Sequence, residues 1–203
     1  NAEFYGNFKL TPLSFRTQTL CSLTHADFSF GESPAVRDVS LTVERGERIA
    51  LRGENGSGKS TVLKLLTGEL TAQGGIVQVP GDLRISYLPQ NVSGICGTVA
   101  GYAAAHGADP TLVMAILNKL NFRSALFEKD ISLYSDGQKK KVALAASLAT
   151  PAHLYVWDEP LNYIDVVSRM QIEELLLQYR PAILFVEHDA AFVRNVATKT
   201  IEL

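Results

Sequence analysis

The chain has 203 residues, 46% of them hydrophobic and 20% charged, with a formal net charge of −2. Those values describe an ordinary soluble globular protein, either one domain with a proper core or one domain plus a small lobe. The weak acidity argues against a nucleic-acid domain held by its overall field, and no direct DNA binding is expected. Cys21 and Cys96 stand at no metal or redox spacing. They read as free thiols of a reducing compartment, which points to the cytoplasm. No apolar run approaches the length of a membrane span, and no secretory signal is visible. The chain starts at Asn1-Ala2 rather than Met, which reads as a fragment with those two residues as an expression remnant.

In chain order, residues 1–19 form a lead-in without a clear period, and the body runs over 20–203. Residues 21–30 alternate loosely as a strand, closed by Gly31-Glu32-Ser33-Pro34. Residues 39–43 alternate apolar and polar, as a half-buried strand does. The turn 44–47 leads into a buried strand over 48–52. Next comes Gly53-Glu54-Asn55-Gly56-Ser57-Gly58-Lys59-Ser60-Thr61, and then the first turns of a helix at 62–66. After a loop over 68–75, short strands are predicted at 76–79 and 84–88. The segment 98–127 changes character. Thr98 can cap a helix to about residue 106, and Asp109-Pro110 opens another with Leu112, Val113, Ile116 and Leu120 on one face. A third short turn follows at 123–127, so a small helical lobe, over about 91–150, is inserted in an α/β body.

The strand–helix rhythm then returns. A helix over 136–150 stops at Pro151, a buried strand covers 153–157, and a helix covers 166–178 with Val166, Met170 and Leu177 aligned. Strand 182–186, helix 190–196 and strand 199–203 complete the chain. Strands alternating with helices imply a mainly parallel sheet covered on both faces. Internal repeats and low-complexity tracts are absent.

The stretch at 53–61 fits G-x-x-x-x-G-K-[ST], with Gly53, Gly58, Lys59 and Ser60 at the fixed positions. Glycines let backbone N–H groups turn around an anion without a clashing Cβ. Lys59 adds a point charge for the β- and γ-phosphates, and the Ser60 hydroxyl is a hard oxygen ligand suited to Mg²⁺. The helix that follows favours bound phosphate at its N-terminus. Downstream, the apolar run 154–157 ends in Asp158-Glu159. Ligands sit at the C-terminal edge of strands in such sheets. There Asp158 would hold Mg²⁺ and Glu159 would orient or deprotonate the attacking water.

Tyr134-Ser135-Asp136-Gly137-Gln138 precedes Lys139-Lys140-Lys141 and a long helix. Ser135 and Gly137 at a helix start make a second anion site, and lysines in a first helical turn oppose the dipole unless an anion lies nearby. Taken alone, the run reads as a capped helix with solvated lysines. Gln90 alone is a surface amide, His188 a structural histidine, Asp165 a helix N-cap and Phe30 a core residue.

Together and in this order, these pieces resemble the nucleotide-binding cassette of ABC ATPases over residues of about 20 to 203. The stretch 53–61, including Asn55, Gly56, Ser57 and Thr61, is similar to the Walker A loop, and 154–159 to the Walker B strand. Gln90 matches the Q-loop, 134–138 the signature motif, Asp165 the D-loop and His188 the switch histidine. Phe30 lies where the family places a ring against adenine. The signature departs from Leu-Ser-Gly-Gly-Gln at Tyr134 and Asp136, which puts the strength of that contact in doubt. The resemblance implies a P-loop NTPase fold with a mainly parallel sheet core, an antiparallel β edge and the helical lobe. It implies ATP and Mg²⁺ as ligands, and ATPase activity that is weak in one isolated cassette. Ser60, Gln90 and Asp158 would hold the metal. Glu159, His188 and Gln90 would serve hydrolysis. Ser135, Gly137, Gln138 and Asp165 would act in trans, on the nucleotide of a second cassette in the same chain or in a homodimer.

The run Trp157-Asp158-Glu159-Pro160-Leu161-Asn162-Tyr163-Ile164-Asp165 further resembles the ABC-F subfamily, and with Gln138-Lys139-Lys140-Lys141 the C-terminal cassette of its antibiotic-resistance members. That resemblance implies a ribosome partner. Two alternatives stay open: the ATPase subunit of a membrane transporter, which needs a membrane partner, and a module that uses ATP to dimerise with little turnover.

Overall fold

The computed structural model describes residues 9, 10 and 12–203. Asn1-Ala2, the expected remnant, and the lead-in through residue 8 lie outside the described residues. Residues 9, 10 and 12–18 are irregular, yet Leu10 and Phe15 are buried in the body.

Strands β1 (Thr19–Phe30) and β2 (Ser33–Glu44) form a hairpin. The four-residue closure expected at 31–34 shrinks to Gly31-Glu32, because Ser33 and Pro34 already pair with Phe30 and Ser29. Pro34 is tolerated since β2 is an edge strand. β2 is also far longer than its alternating stretch. Asp38 adopts φ 51° opposite a bulge around His25, φ 48°, and the irregular register there hides the period. β3 (Arg48–Arg52) leads through the glycine loop into α1 (Lys59–Thr67), followed by β4 (Gly74–Gln78) and β5 (Ile85–Leu88). The helical segment holds α2 (Val99–Ala105), α3 (Pro110–Lys119) and two 3₁₀ turns, Ser124–Leu126 and Ile131–Leu133. α4 (Asp136–Ala149), β6 (Leu154–Asp158), α5 (Val166–Tyr179), β7 (Ile183–Val186), α6 (Ala190–Val196) and β8 (Lys199–Glu202) finish the chain.

A three-stranded antiparallel sheet has the order β2-β1-β4, and a five-stranded parallel sheet the order β5-β6-β7-β3-β8. The apolar core of the described residues divides across the parallel sheet. Leu154 and Val156 of β6 face α1 and the antiparallel sheet, while Tyr155 and Trp157 face α2, α3 and α4. Asp158 shares the parity of Leu154 and Val156, so the strand's period of two aims it toward α1. That placement brings a carboxylate from β6 to the helix that opens with Lys59 and Ser60.

The apolar stripe of α5 is reversed from expectation. Val166, Met170 and Leu177 are exposed, and Ser168, Ile172, Leu175 and Leu176 are buried instead. Ser168 can take a buried place because its hydroxyl donates to Leu120 O and to Asp165 Oδ2. No helix among the described residues is long and apolar enough to cross a membrane. Cys21 is buried and Cys96 exposed, both as free thiols; burial pushes the Cys21 thiol up to about 12.

Candidate functional site

The glycine loop meets the antiparallel sheet from below. Gly58 is the left-handed N-cap of α1 at φ 92°, and a Cβ there would lie 2.1 Å from Ala35 O of β2. Only glycine fits both the backbone conformation and the contact. No side chain caps α1, so its first N–H groups are left to a ligand. α1 begins at Lys59, three residues before its apolar pattern, because Lys59, Ser60 and Thr61 are helical but not apolar. Lys59 is buried, and its Nζ donates to Gly53 O at 2.9 Å and Glu54 O at 2.7 Å. The ammonium is therefore held over the loop that would receive phosphate. Asn55, Gly56 and Ser57 form the turn of that loop.

Asp158 ends β6 at 1% exposure, and its Oδ1 is buried without a hydrogen-bond partner. Burial pushes its carboxyl up. The Ser60 hydroxyl pulls it down, Glu159 pushes it up, and Lys140 and Lys64 pull it down. An unpartnered buried carboxylate oxygen beside a serine hydroxyl suits a hard divalent cation that keeps its other positions for phosphate and water. Among the described residues no group of three or more His, Cys, Asp or Glu is placed to hold a metal ion.

Glu159 follows at φ 49°, a left-handed conformation that a non-glycine residue adopts at a cost of about 1–3 kcal/mol. Its N–H donates to Val186 O at 2.9 Å, which pins it to the end of β7. Its Oε1 lies 3.4 Å from His188 Nε2, and its other oxygen accepts from Asn162 Nδ2. Glu187 is buried and accepts backbone N–H groups from Leu161 at 3.0 Å, His188 at 2.8 Å and Asp189 at 3.3 Å. It thus ties the loop after Glu159 to the loop that carries His188. Asn162 and Glu187 stand inside motifs legible in the sequence, but the sequence did not single them out: Asn162 reaches Glu159 across a turn of its own loop, and the bond from Leu161 N to Glu187 crosses between two loops.

Gln90 lies just past β5, in the loop that lines a cavity of about 360 Å³ with Asp136, Lys140, Asn162 and Tyr163. Ser135 caps α4 through a capping box: its Oγ accepts from Gln138 N at 3.3 Å, and Gln138 Oε1 accepts from Ser135 N at 3.0 Å. Gly137 packs against the loop after Glu159, where a Cβ would lie 2.7 Å from Tyr163 O. Asp165 caps α5, accepting from Ser168 N, and pairs with Lys141 at 2.6 Å.

Taken alone the run reads as solvated lysines, but each of the three reaches a neighbouring segment. Lys139 donates to Ser93 O at 3.0 Å, and Lys141 to Leu120 O at 2.8 Å. Lys140 donates to Pro89 O at 3.2 Å, Gln90 O at 3.1 Å and Asp158 O at 3.4 Å. Loop carbonyls, and for Lys141 the Asp165 carboxylate, receive these ammonium groups, while Ser135 and Asp136 at the helix start stay exposed. Phe30 is not core either: it is 56% exposed at the end of β1, edge-on to Phe28 at 4.9 Å. The structure brings Lys59, Ser60, Asp158, Glu159 and His188 to one end of the parallel sheet. It sets Ser135 and Gly137 on a separate helix start.

The family model described as ABC transporter matches residues 36–162. The chain is 30% identical over 194 residues to ABC transporter F family member 5 of Arabidopsis thaliana, covering 92% of this chain and 28% of that protein. It is 30% identical over 182 residues to ribosome protection protein VmlR of Bacillus subtilis, covering 85% of this chain and 32% of that one. The chain therefore spans about a third or less of the length of these curated relatives. A solved structure described as a dimeric bacterial ABC transporter cassette superposes with a TM-score of 0.78 at 20% identity, covering 90% of this chain and 94% of that chain. At that identity the likeness speaks for the fold, a P-loop cassette with one parallel and one antiparallel sheet.

Proposed function

This chain belongs to the ABC transporter family, and from that premise we propose that it is a cassette that binds MgATP and hydrolyses it when paired with a second cassette. One observation carries the reading. The glycine loop with Lys59, the buried Asp158 and the Glu159–His188 pair at 3.4 Å converge on one end of the parallel sheet. In this reading the loop N–H groups and Lys59 hold the phosphates, with Asn55, Gly56, Ser57, Gly58, Ser60 and Thr61 shaping the cradle. Phe30 supplies an exposed ring for the base. Ser60, Asp158 and Gln90 would hold Mg²⁺, which when bound neutralises charge on the β- and γ-phosphates. Glu159 takes a proton from the water whose oxygen attacks the γ-phosphorus, while the bond to the bridging oxygen breaks and ADP leaves. His188 Nε2 and Asn162 hold the Glu159 carboxylate in place. Ser135, Gly137, Gln138 and Asp165 serve the nucleotide of the partner cassette, so one chain contributes two half-sites.

The whole protein, in this proposal, is a two-cassette ABC-F protein that acts on the ribosome. Support comes from the relatives, two of which are an F-family member and a ribosome protection protein. The test uses the full-length protein with Glu159→Gln here and the equivalent change in its second cassette. Such a protein should bind ATP without turnover and co-sediment with ribosomes in ATP more than in ADP. Partition into the membrane fraction instead would favour a transporter subunit. A wild type that already hydrolyses negligibly would favour the dimerisation module.

A further inference from the structure

Lys140 of α4 reaches the end of β6 that carries Asp158, and its burial needs a reason. It is 1% exposed, one of the largest fully buried side chains of the described residues. A lysine ammonium has three donors and no acceptor. Here the donors meet three backbone carbonyls, Pro89 O, Gln90 O and Asp158 O, at 3.1–3.4 Å. An apolar residue of similar length would fill the same space without the cost of desolvating a charge. What it could not do is hold two chain segments to each other by their carbonyls. Those segments are the loop of Gln90 and the end of β6. Burial lowers the proton affinity of the amine, and the carboxylates of Asp158, Glu159 and Glu187 raise it.

We propose that Lys140 is a positioning residue that clamps the Gln90 loop to the Asp158 end of β6 and so makes the helix bearing Ser135 and Gly137 a structural part of the nucleotide half-site on its own chain. The proposal rests on the nucleotide reading above for its functional consequence, not for the clamp itself. Ser135 caps α4, and Lys140 follows on its second turn. A displacement of α4 moves the ammonium and with it the carbonyls of Pro89, Gln90 and Asp158, next to two residues that would hold the metal. Lys140 thereby couples the two half-sites of one chain, beside the Lys139–Ser93 contact and the packing of Gly137 on Tyr163.

The test compares wild type with Lys140→Met, which keeps the length and removes the donors, and Lys140→Gln, which keeps a neutral donor and serves as the second variant should the first not fold. The first readout needs no nucleotide. Backbone amide order parameters of residues 90–93 should fall to the flexible range, below about 0.6, in Lys140→Met. Those of residues 142–149 and 154–158 should stay rigid, and Lys140→Gln should lie between. The second readout is calorimetric. Lys140→Met should weaken MgATP binding roughly tenfold, as expected for lost charge-assisted hydrogen bonds. ATP without magnesium should bind within about twofold of wild type. Unchanged order at residues 90–93 overturns the clamp. Loss of order throughout α4 and β6 also overturns it, since the lysine would then only hold the core. A wild type that binds no MgATP sinks the nucleotide reading, and the order parameters alone then decide the clamp.

Discussion

Two helices of this chain begin at a turn of serine and glycine, and they begin in opposite ways. α1 has a left-handed glycine as its N-cap and no side-chain cap, and its lysine lies over the open loop. α4 is closed by its own capping box, and its three lysines are turned back onto loop carbonyls. The same dipole is offered to a ligand in one case and used internally in the other. An anion site therefore needs more than a helix start. It needs N–H groups that nothing else satisfies and a cation held at the mouth. By that standard α1 is the phosphate site, and in the proposed reading α4 serves the nucleotide of a partner cassette.

The comparison can be broken at four points. The largest effect should come from Lys59→Ala, which removes the cation held over the α1 loop. MgATP affinity should fall by at least roughly a hundredfold, the loss of one or two charged hydrogen bonds. Calorimetry showing unchanged affinity would erase the distinction between the two helix starts. Phe30→Ala should weaken ATP binding about two- to tenfold, the value of an aromatic stack. Because Phe30 is already exposed, thermal stability should hardly move. A large drop in melting temperature with intact binding would return the ring to a structural role.

Ser135→Ala tests the other helix. It removes the cap and should destabilise the chain by about 0.5–2 kcal/mol, or roughly 1–8 °C in Tm. MgATP affinity of the single chain should stay within error, since the Ser135 hydroxyl bonds Gln138 of its own helix start and the Lys140 contacts lie a turn further along. The smallest effect concerns pH. Burial pushes the Asp165 carboxyl up, but the Lys141 ammonium and the Ser168 N–H and hydroxyl outweigh it and hold the group well below the usual carboxylate range. Its folded pKa is depressed, so its stabilisation is present above the unfolded value of about 3.9 and is lost as pH falls toward the folded value. The side chain is half-exposed, so solvent screening keeps the contribution under about 1 kcal/mol. Asp165→Asn should lower Tm slightly at pH 6, and the difference from wild type should shrink by pH 3. A gap that widens in acid would contradict the pairing with Lys141.

The α1 side of this comparison was legible in the sequence, and the α4 side only in part. Gly53, Gly58, Lys59 and Ser60 announce themselves because backbone cradling of phosphate demands those residue types at fixed spacing. The alternation of buried strands and helices gave the parallel sheet, and β6 could be seen to end in carboxylates. The Lys139–Lys141 run, read alone as solvated, instead meets carbonyl oxygens at Ser93, Pro89, Gln90 and Leu120 and, for Lys141, the Asp165 carboxylate, all brought up by segments distant in the chain. A lysine on the inward face of a helix otherwise lined by Ala143, Leu144 and Ser147 was the available signal for Lys140. The stripe of Val166, Met170 and Leu177 failed for a related reason. The inward face of α5 includes Ser168, whose hydroxyl finds partners that no periodicity count can register.

The measurement closest to the central claim is the ATPase rate per chain at saturating MgATP, followed over a hundredfold range of protein concentration. If α1 holds the nucleotide and α4 of another molecule completes the site, the rate per chain should rise with concentration and level off as chains pair. A rate per chain that is substantial and independent of concentration would mean that one chain forms a complete site, and would contradict the division between its two helix starts.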